Sequence, residues 1–86
     1  MKVYNMFLVA NSNNTKFVGQ SFAAYYECAF NLLEYAFLFE SKEKALEFTN
    51  EDRFKDLISK TKEDFKIINA EIEAQGSFRM IKSILK

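Results

Sequence analysis

The sequence contains no histidine, proline or tryptophan, and it has one cysteine and two glycines in 86 residues. Without histidine, the chain cannot form a Ser-His-Asp or Cys-His catalytic arrangement or a histidine-ligated zinc site. A single cysteine excludes a four-thiolate zinc site, and two glycines are too few for the loops that hold phosphates. A carboxylate-based site, or no catalysis, is what remains, and we expect no cofactor and no metal.

The charges balance, with twelve basic and twelve acidic residues, and 49% of the chain is hydrophobic. This is the composition of a globular protein and not of a disordered or disulfide-rich one. The length predicts a single domain over residues 1–86. Because Cys28 has no second cysteine to pair with, the composition suits a reducing compartment, and we expect the cytoplasm.

Residues 22–39 are an apolar stretch close to the length of a membrane span. Glu27 and Glu34 lie inside it, and a carboxylate near the middle of a span costs about 2.5–3.5 kcal/mol on insertion scales. We therefore expect a buried element of a globular protein and no membrane partner.

The amino-terminal third predicts a β-hairpin. Residues 3–10 are rich in β-forming side chains, the small polar residues 11–14 favour a turn, and residues 15–22 resume a strand-like pattern. The first strand is apolar on both faces, whereas an antiparallel strand with one wet face alternates. We expect both of its faces to be covered.

The middle of the chain predicts three elements: a helix, a strand and a short helix. Glu27, Asn31 and Glu34 recur at the spacing of one helical stripe, so residues 22–33 are predicted as a helix, although their aromatic content leaves a strand open. Residues 35–40 are predicted as a third strand. Ser41 is a candidate N-cap for a short helix that begins at Lys42.

The carboxy-terminal part predicts one long amphipathic helix, ended at Gly76 and followed by a short helix. Its apolar positions step by three or four residues: Phe54, Leu57, Ile58, Thr61, Phe65, Ile68 and Ile72. The predicted fold class is α+β, a small antiparallel sheet (β-hairpin plus a third strand) packed on a long C-terminal amphipathic helix with short flanking helices.

The apolar strand faces carry the functional interpretation. A chain this short buries only part of its surface, and large bare apolar patches are rare on monomers. We therefore predict a non-enzymatic protein-binding module that uses Phe7, Tyr25 and Phe37 as exposed anchors, with a protein partner or a second copy in a homodimer.

Two alternatives remain open. A nucleic-acid-binding regulator would use the cations Lys60, Lys62, Lys66, Arg79 and Lys82, since phosphate contacts supply most of such affinity. A carboxylate enzyme would use Glu27 and Glu34, although neither lies in a motif. Cys28 is interpreted as a small buried hydrophobic residue.

Residues 35–48, with an aromatic strand and a Ser-Lys-Glu helix start, resemble a strand-then-helix module of small accessory proteins from phages and prophages. The resemblance covers residues 1–49. It implies a short viral protein that acts by binding, such as an inhibitor of a host or defence enzyme, including the anti-CRISPR kind, or a regulator of replication or transcription. Inhibitors that mimic DNA are strongly acidic, and the neutral charge balance departs from that pattern.

Overall fold

The computed structural model describes residues 2–24 and 27–85. Its elements are β1 (Lys2–Asn11), β2 (Phe17–Gln20), β3 (Cys28–Asn31), a one-turn 3₁₀ helix (Leu33–Tyr35), α1 (Lys42–Thr49), α2 (Asp52–Thr61), β4 (Phe65–Gln75) and β5 (Phe78–Leu85). These strands form one antiparallel sheet with the spatial order β3-β2-β1-β4-β5. The longest strands, β1 and β4, are neighbours at its centre.

The predicted amino-terminal hairpin is confirmed, because β1 and β2 pair antiparallel at Ala10 and Phe17. The side chain of Asn11, which is 5% exposed, holds the turn. Its Oδ1 accepts hydrogen bonds from the backbone N–H groups of Thr15 and Lys16, at 2.9 and 3.0 Å. An amide side chain that satisfies nearby backbone donors favours a turn over a continued strand, so β1 ends here.

The predicted long carboxy-terminal helix is wrong. α2 ends at Thr61, Lys62 follows in the left-handed region with a φ of 58°, and β4 begins shortly after. The apolar residues of this region fit both a helical and a strand period. Ile68 and Ile72 are four residues apart, as on one helix face, and together with Ala70 they also occupy every second position, as on one strand face. Pairing decides between the two, because β4 is bonded to β1 along ten consecutive positions and to β5 on its other side.

Two shorter helices are also wrong. The predicted last helix is β5, joined to β4 by a turn in which Gly76 has a φ of 60°. In the predicted helix over residues 22–33, residues 28–31 form β3 instead and pair with β2, so the strand alternative is the correct one there. The fold is therefore mostly sheet with two short helices, and the α+β description fits it only in part.

The predicted cap of the short helix is confirmed. Ser41 has an extended backbone, and its Oγ accepts a hydrogen bond of 3.2 Å from the N–H of Lys44. This satisfies one of the free donors in the first turn of α1.

Each face of the sheet carries an apolar cluster. On one face, α1 and α2 pack Phe48, Phe54 and Leu57 against Val9 and its neighbours; we call this the helix side. On the opposite face, the 3₁₀ helix and the residues after it cover Leu8. Leu8 and Val9 are 0% and 1% exposed, so both faces of the first strand are covered here. Residues 2–5 of the same strand are exposed, and the expectation that both faces are covered is wrong there.

Residues 36–39, which we call the wedge segment, lie between β1 and β2 where those two strands separate. The Phe37 N–H donates to the Val18 carbonyl oxygen at 3.0 Å, and Phe39 and Phe7 exchange backbone hydrogen bonds of 2.9 and 2.8 Å. The predicted third strand over residues 35–40 thus forms only isolated bridges. Its side chains still alternate between the two apolar clusters, as a two-sided strand would.

Gly19 makes the wedge segment possible. It is bridged to Ala36, and a Cβ on Gly19 would overlap the carbonyl oxygen of Tyr35 and lie 3.2 Å from the Cα of Ala36. Only a residue without a side chain lets the two backbones approach this closely.

We expect Gly19→Ala to lower the free energy of unfolding by roughly 1–3 kcal/mol, the usual cost of overpacking, because backbone and not a flexible side chain must move. Urea unfolding followed by circular dichroism measures this. Gly76→Asn is the matched control: the position is open and asparagine tolerates its positive φ, so the cost there should stay below about 1 kcal/mol. Equal losses in the two variants would contradict the role given to Gly19.

Candidate functional site

The helix layer is shorter than the sheet that it covers. At about 1.5 Å per residue, α1 and α2 are about 12 and 15 Å long, whereas β1 at about 3.4 Å per residue is about 34 Å long. α1 starts at Lys42, which lines a cavity with Phe7 and Asn69 near the middle of the central strands. Beyond that point, the described helices leave the helix side of the sheet uncovered.

The uncovered part of the helix side is a continuous surface, which we call the open face. Strand register places Val3 of β1, Glu73 of β4 and Met80 of β5 side by side, at roughly 4.8 Å per strand. The open face consists of Val3, Asn5, Glu71, Glu73, Gln75, Phe78, Met80 and Ser83. Its large apolar side chains are about half exposed, with Val3 50%, Met80 48% and Phe78 60% exposed.

The open face carries the carboxylates of Glu71 and Glu73, and exposed Lys82 lies beside it at the bulge in β5. Glu71 accepts a hydrogen bond of 2.9 Å from the Ser83 hydroxyl. Glu73 forms none of the ion pairs found within residues 2–24 and 27–85. A small pocket of about 150 Å³ is lined by Glu73, Gln75, Phe78 and Met80. The surface is therefore apolar and acidic at once.

The outer edge of β5 is protected against pairing with another strand. The Arg79 N–H points away from β4 and donates to Glu34 Oε2 at 3.4 Å, so a carboxylate of the 3₁₀ helix already occupies that edge position. The register shifts between Glu71 and Ile72, which leaves exposed Lys82 as an extra residue in β5. Bulges and lysines are the usual devices that keep edge strands apart.

The predicted anchors lie elsewhere. Phe7 and Phe37 are half-buried. The ring of Phe37 packs 5.5 Å from that of Phe48, and the Arg53 guanidinium lies over both rings, at 5.2 and 5.1 Å. Tyr25 falls outside the described residues.

A second exposed aromatic pair is Phe22 and Tyr35, whose rings meet edge to face at 4.8 Å and line a cleft of about 490 Å³. Phe22 is 74% exposed.

The five predicted nucleic-acid-binding cations fall into two separate groups. Lys60, Lys62 and Lys66 lie around the junction of α2 and β4, and Lys60 is 3.8 Å from Glu27 in an ion pair. Arg79 pairs with Ala74, eight residues from Lys66 along β4, or about 27 Å at 3.4 Å per residue. The structure does not bring the two groups together, and nucleic-acid binding stays a prediction.

Arg79 has a structural role. Its Nη1 donates to the carbonyl oxygens of Leu33 and Ala36, at 3.1 and 3.0 Å. These bonds tie the 3₁₀ helix and the start of the wedge segment to β5. The two bonds use the N–H donors of Nη1, and the other three donors of the half-buried guanidinium stay on Nε and Nη2.

The two predicted carboxylates do not share a site. Glu27 is exposed and paired with Lys60, whereas Glu34 lies in the 3₁₀ helix and contacts β5. Within residues 2–24 and 27–85, no group of three or more cysteine and acidic side chains could hold a metal ion.

Cys28 is buried, with 6% exposure, and its Sγ donates a weak hydrogen bond of 3.5 Å to the Arg53 carbonyl oxygen. Burial raises the pKa of the Cys28 thiol, and the nearby Arg53 cation offsets only part of that shift. The interpretation of Cys28 as a buried hydrophobic residue is confirmed.

The sequence interpretation missed the open face because it assigned residues 65–85 to helices. One signal was available: Gln75-Gly76-Ser77 between two β-rich runs is also the pattern of a hairpin turn. In a hairpin, Glu71 and Glu73 alternate with Ala70, Ile72 and Ala74, which indicates a strand with one face buried.

Neither helix in the described ranges 2–24 and 27–85 is long and apolar enough to cross a membrane. Comparison with protein-family models, curated proteins and solved structures finds no match. The resemblance of residues 1–49 to phage accessory proteins is not addressed by these findings and stays a prediction.

Three associated expectations are corrected. The homodimer was inferred from bare faces along the whole first strand, whereas the chain itself covers both faces at Leu8 and Val9, and nothing in the described residues supports a second copy. The small, mostly β domain gives no support to a viral origin or an inhibitory activity either. These three expectations are not retained.

We expect Arg79→Met to lower the free energy of unfolding by about 1.5–3 kcal/mol, the range for hydrogen bonds that involve a charged group. Lys82→Met is the control with the same charge change. Because Lys82 is exposed and in none of the ion pairs described above, it should change stability by less than about 0.5 kcal/mol. Thermal and urea unfolding of both variants decide the matter, and equal stability of the two would refute the structural role.

We expect iodoacetamide to alkylate Cys28 at least about tenfold more slowly in the native chain than in urea at the same pH, since the thiolate is the reactive form. The raised pKa shifts the alkaline rise of the native rate to higher pH than in the unfolded chain. Mass spectrometry over time measures both rates. Identical rates and pH profiles would show that the thiol is open to solvent.

Proposed function

We propose that this chain is a non-enzymatic protein-binding module and that the open face is its binding surface. The single observation that carries the proposal is the adjacency of bare Val3, Met80 and Phe78 on a sheet face that the described helices stop short of. An antiparallel sheet can leave one face in water, but that face is then polar, and adjacent bare apolar side chains on it mark a place for a second molecule.

The chemistry of the surface fits a protein better than a small molecule. Its pocket of about 150 Å³ is smaller than the roughly 300–1,000 Å³ of most small-molecule sites. Aromatic residues and methionine are enriched in protein interfaces, and Phe78 and Met80 supply one of each. The side chains are bare but held on paired strands, so little order is lost when a partner binds.

The absence of histidine supports a role in binding over one in catalysis, since the usual general base at neutral pH is missing. The single buried thiol supports a reducing compartment such as the cytoplasm.

Site-specific photo-crosslinking tests the proposal. Benzoylphenylalanine in place of Phe78 should crosslink a defined protein in a lysate of cells that encode the chain. The same probe in place of Leu46, which is 45% exposed on α1 and away from the open face, is the control. Crosslinking that depends on position 78 and is lost on adding Met80→Ser supports the proposal, because interface anchors carry more than about 1 kcal/mol each. Crosslinking that is equal at both positions, or absent at 78, overturns it.

A further inference from the structure

We propose that the partner presents a basic amphipathic helix, which lies on the open face and continues the helix layer of the sheet. This inference rests on the proposed function and specifies the partner's chemistry. It combines three features of the open face: its position next to the helix layer, its charge, and the protected edge beside it.

Position favours a helix as the occupant. α1 and α2 already pack on this side of the sheet through Phe48, Phe54 and Leu57, and they end near the middle of the central strands. The remaining surface continues this side of the sheet, because the strand register places Val3 and Met80 on the same side as Val9. A helix presents the apolar stripe that such a sheet face accepts.

The edge of β5 argues against a strand as the occupant. Addition of a strand needs a row of free backbone N–H and C=O groups along the edge. Here the Arg79 N–H already donates to Glu34, and the extra residue Lys82 interrupts the regular spacing of the backbone groups. The partner therefore meets side chains of the face and not the backbone of the edge.

Charge selects the sign of the partner. Glu71 and Glu73 are the acidic residues of the open face, and exposed Lys82 lies next to Ser83 at the bulge in β5. Glu73 is half-buried beside Met80 without an ion pair among the described residues. Lysine or arginine flanking an apolar stripe satisfies both carboxylates, whereas nucleic acid and anionic lipid are repelled by them. A second copy would set Glu73 against like charge on the same face, which is destabilising.

The test uses three synthetic 18-residue peptides and the intact chain. The first has leucine at helical spacing with lysine on its other positions, the second replaces every lysine with glutamate, and the third scrambles the first. Backbone amide NMR titrations to about 1 mM peptide locate and quantify binding. The proposal expects the first peptide alone to bind, with shifts concentrated on the residues of the open face.

Matched variants separate a specific contact from general attraction. Glu73→Gln should weaken binding of the lysine peptide about two- to fivefold, the range for an exposed ion pair, while Glu43→Gln on exposed α1, with the same charge change, should leave it unchanged. Met80→Ser should weaken it at least about fivefold. Both residues lie on the surface, so the variants should fold, and their amide spectra check this.

Several results would overturn the inference. These are binding of the glutamate or the scrambled peptide as strongly as the lysine peptide, equal effects of Glu73→Gln and Glu43→Gln, no binding at the highest concentration, or peptide-free dimerisation through the open face. The crosslinking experiment keeps the two proposals apart. A partner captured at position 78 without binding of the lysine peptide refutes the helix and leaves the protein-binding module in place.

Discussion

The pairing of β1 with β4 is the interaction on which the rest of the structure depends. It joins ten consecutive positions at the centre of the sheet, between a hairpin on each side. The two strands span about 34 Å, whereas α1, the helix that contacts both of them, has eight residues and is about 12 Å long. A mismatch of this size cannot be removed by repacking side chains. It leaves one end of the helix side bare, and the open face is its direct consequence.

In the other half of the sheet, the gap between β1 and β2 is filled by the wedge segment. β1 and β2 separate after the hairpin turn, which would leave backbone groups of Phe7 and Val18 buried without partners. The wedge segment supplies them, and Gly19 gives it room. Arg79 then fixes the start of the wedge segment through two carbonyl oxygens. A residue that sequence analysis counts among nucleic-acid-binding cations is in this way part of the internal framework.

Local signals in the sequence identified some elements correctly and others not, for a physical reason. The turn at Asn11 and the cap at Ser41 depend on side chains that bind backbone within five residues, so they can be read from the sequence. The stretch after Lys62 could not, because its apolar residues satisfy helical and strand periods alike and the choice is made by β1, some sixty residues earlier. The open face joins β1 to the β4–β5 hairpin, some sixty residues later in the sequence, and it became visible only with the register of β4.

The acidic residues of the open face limit the non-specific association that a bare apolar surface favours. Without the carboxylates, exposed Val3, Met80 and Phe78 would attract any apolar surface, including that of a second copy of this chain. Glu73 lies between Val3 and Met80. A partner without a cation would bury the Glu73 carboxylate unpaired, and this makes its binding to the open face unfavourable. At the adjoining edge, Glu34 and Lys82 hinder strand addition by a second, independent means. In the proposed complex, apolar area would supply the attraction and the carboxylates would restrict it to a complementary partner, which separates affinity from specificity.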